Sequence, residues 1–371
     1  MFVKLRSSLV ASLLGAVPSG AQADPVQVAE RFAAAAQQAP KYATALAYAV
    51  ADGPVTIHVS GPTERTGDTA VSDDALWHIG SISKSFTAAL VMQMVEAGRL
   101  DLDTPIKDYL PRNAAQMHDG WQRLTLRQLL SHTSGLAANA GVSTLVSQTD
   151  PDPRAARGQI LSKYWTQAPK APVGAFVYSN LGYVLAGHIL EELTDTAWED
   201  LVLDRIAGPL GLSSLGFGAP DGQTTPLGHR RILGMFPKAM SPVGTMADNP
   251  AWMGPAGTIH MNLADLVAWG RFHLAACAGQ APELLSRDAC ELMKTAGSDQ
   301  YGLGWVVSPD NGQGPVIWHN GSNTMWYAVL AWMPDRALVV AATTNVGGHD
   351  RLDAWGRDGP PMILDEAGQG G

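Results

Sequence analysis

Trp77-His78-Ile79-Gly80-Ser81-Ile82-Ser83-Lys84-Ser85-Phe86-Thr87-Ala88 runs from a short extended approach into the start of a helix. Ile82, Phe86, Ala89, Leu90 and Met94 recur at helical spacing, which predicts a helix from Ser81 with a buried face, and Gly98 is placed to stop it. Ser81 and Lys84 stand one helical turn apart, so their side chains share a face. A serine hydroxyl is a weak nucleophile until a base lies within hydrogen-bond reach. A buried lysine has a lowered pKa and, once neutral, can be that base. The helix N-terminus adds free N–H groups and a positive dipole end, both favourable to developing negative charge. Gly80 leaves room for a substrate against the backbone. Ser and Lys are common on helix surfaces, so Ser-x-x-Lys is a weak signal until other motifs join it.

Outward from this helix, the chain reads as an α+β protein. Residues 25–38 form an Ala-rich helical pattern ending near Pro40. Tyr42–Val50 and Val55–Ser60 are β-rich runs parted by Asp52-Gly53-Pro54, which predicts a hairpin. From about 103 to 245, short helical patterns alternate with Pro and Gly, and Leu126–Leu130, Leu181–Leu193 and Asp200–Ile206 read as helices. Strand patterns return at Gly302–Val307, Val316–Trp318, Met325–Trp332 and Ala337–Thr344, divided by Asn311-Gly312, Gly321 and Pro334-Asp335. The expected architecture is an antiparallel sheet flanked by helices and built from both ends of the chain (24–102 and 246–371), with an inserted all-α domain (103–245).

Two further motifs keep Ser81 and Lys84 company. Tyr178-Ser179-Asn180 precedes an apolar helix, so Ser179 or Asn180 reads as its N-cap and Tyr178 as core. Beside a Ser–Lys pair, Tyr178 gains a second role as a proton relay to a leaving group, and Asn180 as a contact for substrate and for Lys84. His319-Asn320-Gly321 follows the strand Val316–Trp318. His78-Ile79-Gly80 and His118-Asp119-Gly120 share its form, but only the third copy ends one strand and precedes another. Gly321 would leave room for substrate along the strand edge, and the N–H groups of Ser322 and Ser81 could bind an oxyanion.

Ser-x-x-Lys, Tyr-x-Asn and a Lys/His-x-Gly triplet, in this order and widely spaced, resemble the penicillin-recognising serine hydrolases: class C β-lactamases, D-alanyl-D-alanine carboxypeptidases, D-aminopeptidases and family VIII esterases. WHIGSISKSFTA (77–88), LLSHTSGL (129–136), YGLGW (301–305) and Gly257-Thr258 ahead of Leu263-Ala264-Asp265-Leu266 are similar to the β-lactamase-related domain, and the likeness spans about residues 28–346. The resemblance implies Ser81 as nucleophile, Lys84 as its proton acceptor and Tyr178 as general acid/base. It also implies Asn180, His319, Asn320, Gly321 and Ser322 as substrate-binding residues, in a cleft between sheet and helical domain. Where class C enzymes carry Lys-Thr-Gly, this chain has His319 and Asn320, which is closer to the carboxypeptidase and esterase branches. The implied activity is hydrolysis of amide, peptide or ester substrates through an acyl-enzyme. A class C-like β-lactamase and a slowly turning over penicillin-binding sensor are the alternatives.

Residues 1–23 read as an export signal: Lys4 and Arg6, an apolar run from Leu9 to Val17, and Ala21-Gln22-Ala23 before Asp24. A periplasmic or secreted protein is expected, with no transmembrane segment. The net charge of −9 without a Lys/Arg cluster argues against nucleic acid as a partner and leaves a small-molecule or peptide substrate. Cys277 and Cys290 are the only cysteines, and either a disulfide or two separate buried thiols would suit them. No Gly-x-Ser-x-Gly, His-Glu-x-x-His, Walker loop or Gly-x-Gly-x-x-Gly occurs, so no metal or cofactor is implied. His132, in Ser131-His132-Thr133, reads as a turn residue satisfying backbone groups.

Overall fold

A computed structural model describes residues 42–347, except 142–143, 145–149, 231–236, 245, 309 and 311–313. The export signal, the 25–38 helix and the Asn311-Gly312 turn lie outside the described residues. Six strands form one antiparallel sheet in the order Thr56–Ser60, Thr44–Val50, Leu338–Thr344, Tyr327–Met333, Val316–Ser322, Val306–Ser308. The first and last of these strands in sequence pair with each other inside the sheet, Thr44 with Thr344 and Val50 with Leu338. Leu338–Thr344 is buried along its whole length, which explains its nearly unbroken apolar and β-branched sequence. Gly302 N–H bonds Trp305 O at 2.8 Å, closing a turn, so the edge strand starts at Val306, later than its sequence suggests.

The helix Ser83–Glu96, entered through a 3₁₀ turn at Gly80–Ile82, is buried around most of its circumference. A helix in that position must satisfy its own polar side chains. Ser83 Oγ donates to Gly80 O at 2.7 Å, Ser85 Oγ to Ile82 O at 2.7 Å and Thr87 Oγ1 to Pro255 O at 2.7 Å. Trp269 Nε1 donates to Ser85 Oγ at 2.9 Å and ties the helix Leu263–Cys277 to it. Between residues 103 and 245 lie the helices Leu126–Leu130, Pro153–Tyr164, Asn180–Thr194 and Trp198–Val202. Buried Arg157 joins three of them through Glu191 and Glu199.

That stretch also holds strands, against the all-helical expectation. Gly216–Phe217 pairs with Ile259–Met261, which pairs in turn with Trp77–His78, and His229–Arg230 pairs with Lys238–Ala239. At two residues each, they carry too little alternation to be seen in sequence, and the partner of Gly216–Phe217 is distant in the chain.

Cys277 and Cys290 are bonded, joining the end of the helix Leu263–Cys277 to the middle of the helix Arg287–Met293. A 13-residue separation makes this closure worth roughly 3 kcal/mol by loop entropy. Reduction, or the paired change to alanine, is expected to lower Tm by several degrees. Because the bridge is remote from Ser81 in the chain and in its contacts, kcat should hold; a thermal melt with and without reductant checks both.

Candidate active site

The strand Trp77–His78 and the Ile79 N–H, bonded to Ile259 O at 3.0 Å, deliver the chain to Gly80 with φ +53°. Ser81 sits in the 3₁₀ turn that follows. One turn on, Lys84 Nζ lies 3.0 Å from Ser81 Oγ and donates to Ala256 O at 2.6 Å. The Lys84 side chain is fully buried, and that burial holds its pKa well below the ordinary lysine range. The rings of Tyr178 and Tyr183 lie 4.9 and 5.5 Å from Nζ. Among the described residues no carboxylate is bonded to this amine, so its neutral form is favoured and its lone pair can accept the Ser81 proton.

Burial raises the Tyr178 pKa well above that of a free phenol, and the neighbouring Ser81 hydroxyl offsets only part of that rise. It is therefore a phenol at neutral pH, a proton donor and not a phenolate. Ser179 proves to be the N-cap of Asn180–Thr194, its hydroxyl accepting from Gly182 N–H. Asn180 Nδ2 donates to Asn139 Oδ1 at 2.6 Å, and its Oδ1 is buried without a hydrogen-bond partner. The expected bond from Lys84 to Asn180 is not formed; Ala256 O takes it instead.

His319-Asn320-Gly321 lies inside the strand Val316–Ser322 and not after it, because pairing with Tyr327–Met333 continues to Ser322. A Cβ on Gly321 would meet Ile79 O at 2.0 Å and Ser81 N at 2.5 Å, and one on Gly80 would meet Ser322 N at 2.3 Å. Only two glycines permit these segments to touch, and the touch brings the Ser81 and Ser322 amides together. His319 Nε2 pairs with Tyr301 Oη at 2.8 Å, and burial pushes its pKa down to about 3. It supplies no cation at neutral pH. Asn320 Nδ2 donates to Tyr327 Oη at 2.8 Å. Ser81, Lys84, Tyr178 and the Gly321–Ser322 backbone thus converge, while the side chains of Asn180, His319 and Asn320 are engaged by their neighbours.

Sequence reading missed the shell behind Tyr178. His132, with φ +59°, accepts the Ser179 N–H at Nδ1 (3.0 Å), which bears out a backbone-satisfying role. Its ring also packs on Tyr178 at 4.1 Å, Tyr301 at 4.6 Å and Tyr183 at 5.2 Å. The signal available was LLSHTSGL itself, a polar turn between apolar residues. Among the described residues, no group of three or more His, Cys, Asp or Glu is placed to hold a metal ion.

Three buried histidines set an acid limit on the fold. Desolvation holds His132 well below 6.5 and brings His273 and His319 down to about 3. Their folded forms stay neutral while the unfolded chain takes up protons below 6.5, so stability is complete above pH 6.5 and is lost as pH falls toward 3. Each contributes a slope of up to about 1.4 kcal/mol per pH unit in that window. Urea unfolding at pH 7 and pH 4.5 should show the loss, and His273→Phe should shrink it.

A profile of the family described as Beta-lactamase matches residues 29–359. Penicillin-binding protein 4 of Amycolatopsis lactamdurans is 33% identical over 319 residues, covering 80% of this chain and 79% of that protein. Further curated relatives match over only 58% and 53% of their own length, so the chain spans little more than half of them. Among solved structures, SurE with D-Leu superposes with a TM-score of 0.71 at 27% identity, over 94% of this chain and 75% of that one. The D-amino acid amidase of Ochrobactrum anthropi SV3, complexed with L-phenylalanine amide, gives 0.74 at 19% identity over 94% and 98%, a likeness of fold.

Proposed function

The chain belongs to the Beta-lactamase family of serine hydrolases, and from that premise we propose an exported hydrolase that forms an acyl-enzyme on Ser81 and returns the acyl group to water. The observation that carries this reading is the buried, unneutralised Lys84 amine 3.0 Å from Ser81 Oγ. Ser81 Oγ attacks the acyl carbon as its proton passes to Lys84 Nζ. The Ser81 and Ser322 N–H groups take the oxyanion. Tyr178, protonated and beside Ser81, hands a proton to the departing amine or alkoxide. Water then attacks the ester by the reverse route.

The substrate we propose is an amide, peptide or ester of a D-amino acid or small acyl group. Support comes from the relative crystallised with D-Leu. The penicillin-binding relative supports acylation by a β-lactam. Neutral His319 weighs against rapid β-lactam hydrolysis, since no cation at that position meets the drug's carboxylate. We assign 24–102 and 246–371 to the sheet domain and 103–245 to the insertion, with the cleft between them. The signal-like residues 1–23 and the disulfide support export.

Time-resolved intact mass after mixing with a penicillin tests the reading, with p-nitrophenyl acetate and D-aminoacyl p-nitroanilides run in parallel. The expected result is a lasting adduct on the wild type, absent from Ser81→Ala, with turnover of the ester or anilide. An adduct that persists in Ser81→Ala, or no adduct and no turnover of any probe, would overturn it. Disappearance of the penicillin without an adduct would mark a β-lactamase instead.

A further inference from the structure

We propose that Asp248 and His78 act as positioning residues that hold the two oxyanion-binding amides in register; the inference rests on the acyl-transfer reading above. His78, in the strand Trp77–His78, is fully buried, and its Nδ1 accepts the Gly80 N–H at 3.1 Å. With Nδ1 an acceptor, the proton of the neutral ring is on Nε2, which donates to Asp248 at 2.9 Å to Oδ1 and 3.0 Å to Oδ2. Asp248 Oδ1 also accepts Asn323 Nδ2–H at 2.7 Å. Asn323 Oδ1 in turn accepts the Met325 and Trp326 N–H groups, 3.1 Å each, and so shapes the turn that leaves Ser322. The Trp326 ring closes the circuit by stacking on His78, with centroids 5.9 Å apart.

The circuit joins the two segments whose amides face the reacting oxygen. One end fixes the Gly80 N–H, in the peptide immediately before the Gly80–Ser81 peptide that carries the Ser81 N–H. The other end fixes the Asn323 side chain, one residue after Ser322, whose own N–H lies in the Gly321–Ser322 peptide. These segments already touch at Gly80 and Gly321. Contact alone sets their spacing; the direction of each N–H depends on its peptide plane, and the circuit anchors the residue adjoining each, Gly80 before Ser81 and Asn323 after Ser322. The next residue extends the same scaffold: Asn249 Nδ2 donates to Gly257 O at 2.8 Å, beside the Ala256 carbonyl that receives Lys84. Asp248 has only 7% side-chain exposure. A carboxylate kept there by two side-chain donors is a costly way to gain stability alone, and its cost is intelligible as orientation of donors for developing charge.

The test uses the full chain and a p-nitrophenyl ester that the wild type turns over. It reads kcat, KM, Tm and the affinity of phenylboronic acid. That compound forms a B–O bond to Ser81 Oγ, with the Ser81 proton passing to Lys84, and the tetrahedral boronate places an oxygen where the oxyanion forms. Asp248→Ala and His78→Phe are each expected to lower kcat by on the order of 10²-fold and to weaken the boronate by a similar factor, with KM within about threefold. The double variant should be no worse than the poorer single, because both break one circuit. Asp248→Asn should recover to within about tenfold of wild type, since an amide oxygen can accept from both His78 and Asn323.

Unchanged kcat in a folded Asp248→Ala, or a fall in kcat without a fall in boronate affinity, would overturn the proposal. Where Asp248→Ala fails to fold, Asn323→Ala decides by the same two readouts. A wild type that neither acylates nor turns over ester defeats the acyl-transfer reading itself; an active wild type with fully active variants defeats only the clamp.

Discussion

Ser81→Ala is expected to lower kcat by on the order of 10⁴–10⁶-fold, the range seen when the nucleophile of a cooperating catalytic unit is removed. Lys84 would retain its place, because its bond to Ala256 O does not involve Ser81. The fold should also hold: among the described residues, the Ser81 hydroxyl is bonded to Lys84 Nζ alone. Losing the hydroxyl removes its hydrogen bond with Lys84 Nζ, a cost of about 1 kcal/mol, so Tm should move by only a few degrees. The variant therefore separates chemistry from folding. Initial rates at high enzyme concentration, with Tm alongside, are the measurement. Activity within a hundredfold of wild type would place the nucleophile elsewhere.

How much of this was legible in the sequence depends on the range of each interaction. Ser81 and Lys84 were legible as a pair because helical geometry alone puts residues three apart on one face, and the structure finds them 3.0 Å apart. The central strands were legible from β-branched runs, and their antiparallel meander from the turn residues between them. The helix Asn180–Thr194 and its serine cap were equally local. Side-chain direction was not. His319, Asn320 and Asn180 have the residue types of a binding set, yet their partners Tyr301, Tyr327 and Asn139 are chosen by tertiary packing. The strand reading stopped at Trp318 because His-Asn-Gly resembles a turn, whereas cross-strand pairing with Tyr327 and Ala328 carries the strand on to Ser322. His78 and Asp248 lie 170 residues apart, and no pattern in a single chain announces such a contact. The disulfide belongs to the same class: spacing allowed it, and only the packing of two helices decided it.

Lys84→Met separates the two consequences of burying an amine. Removal of the base is expected to lower kcat by on the order of 10²–10⁴-fold, less than the loss of Ser81, because the hydroxyl and the oxyanion donors remain. Stability should move with pH in a way that only the lysine can cause. Burial holds the folded pKa of Lys84 well below 10.5, so between that folded value and 10.5 the unfolded chain binds the proton and the folded chain does not. Unfolding free energy then rises with pH across this window, by up to about 1.4 kcal/mol per unit. The wild type is at its best relative to Lys84→Met above pH 10.5, loses ground as pH falls toward the folded pKa, and keeps a constant difference below it. Methionine has a similar length and no charge to desolvate, so the variant carries no such slope. Urea unfolding of both proteins from pH 6 to 10 measures the difference directly, and the acid limb of kcat/KM in the wild type should fall where that difference flattens. A flat stability difference up to pH 9.5 would mean an ordinary ammonium at Lys84, and a protonated lysine could not take the proton from Ser81.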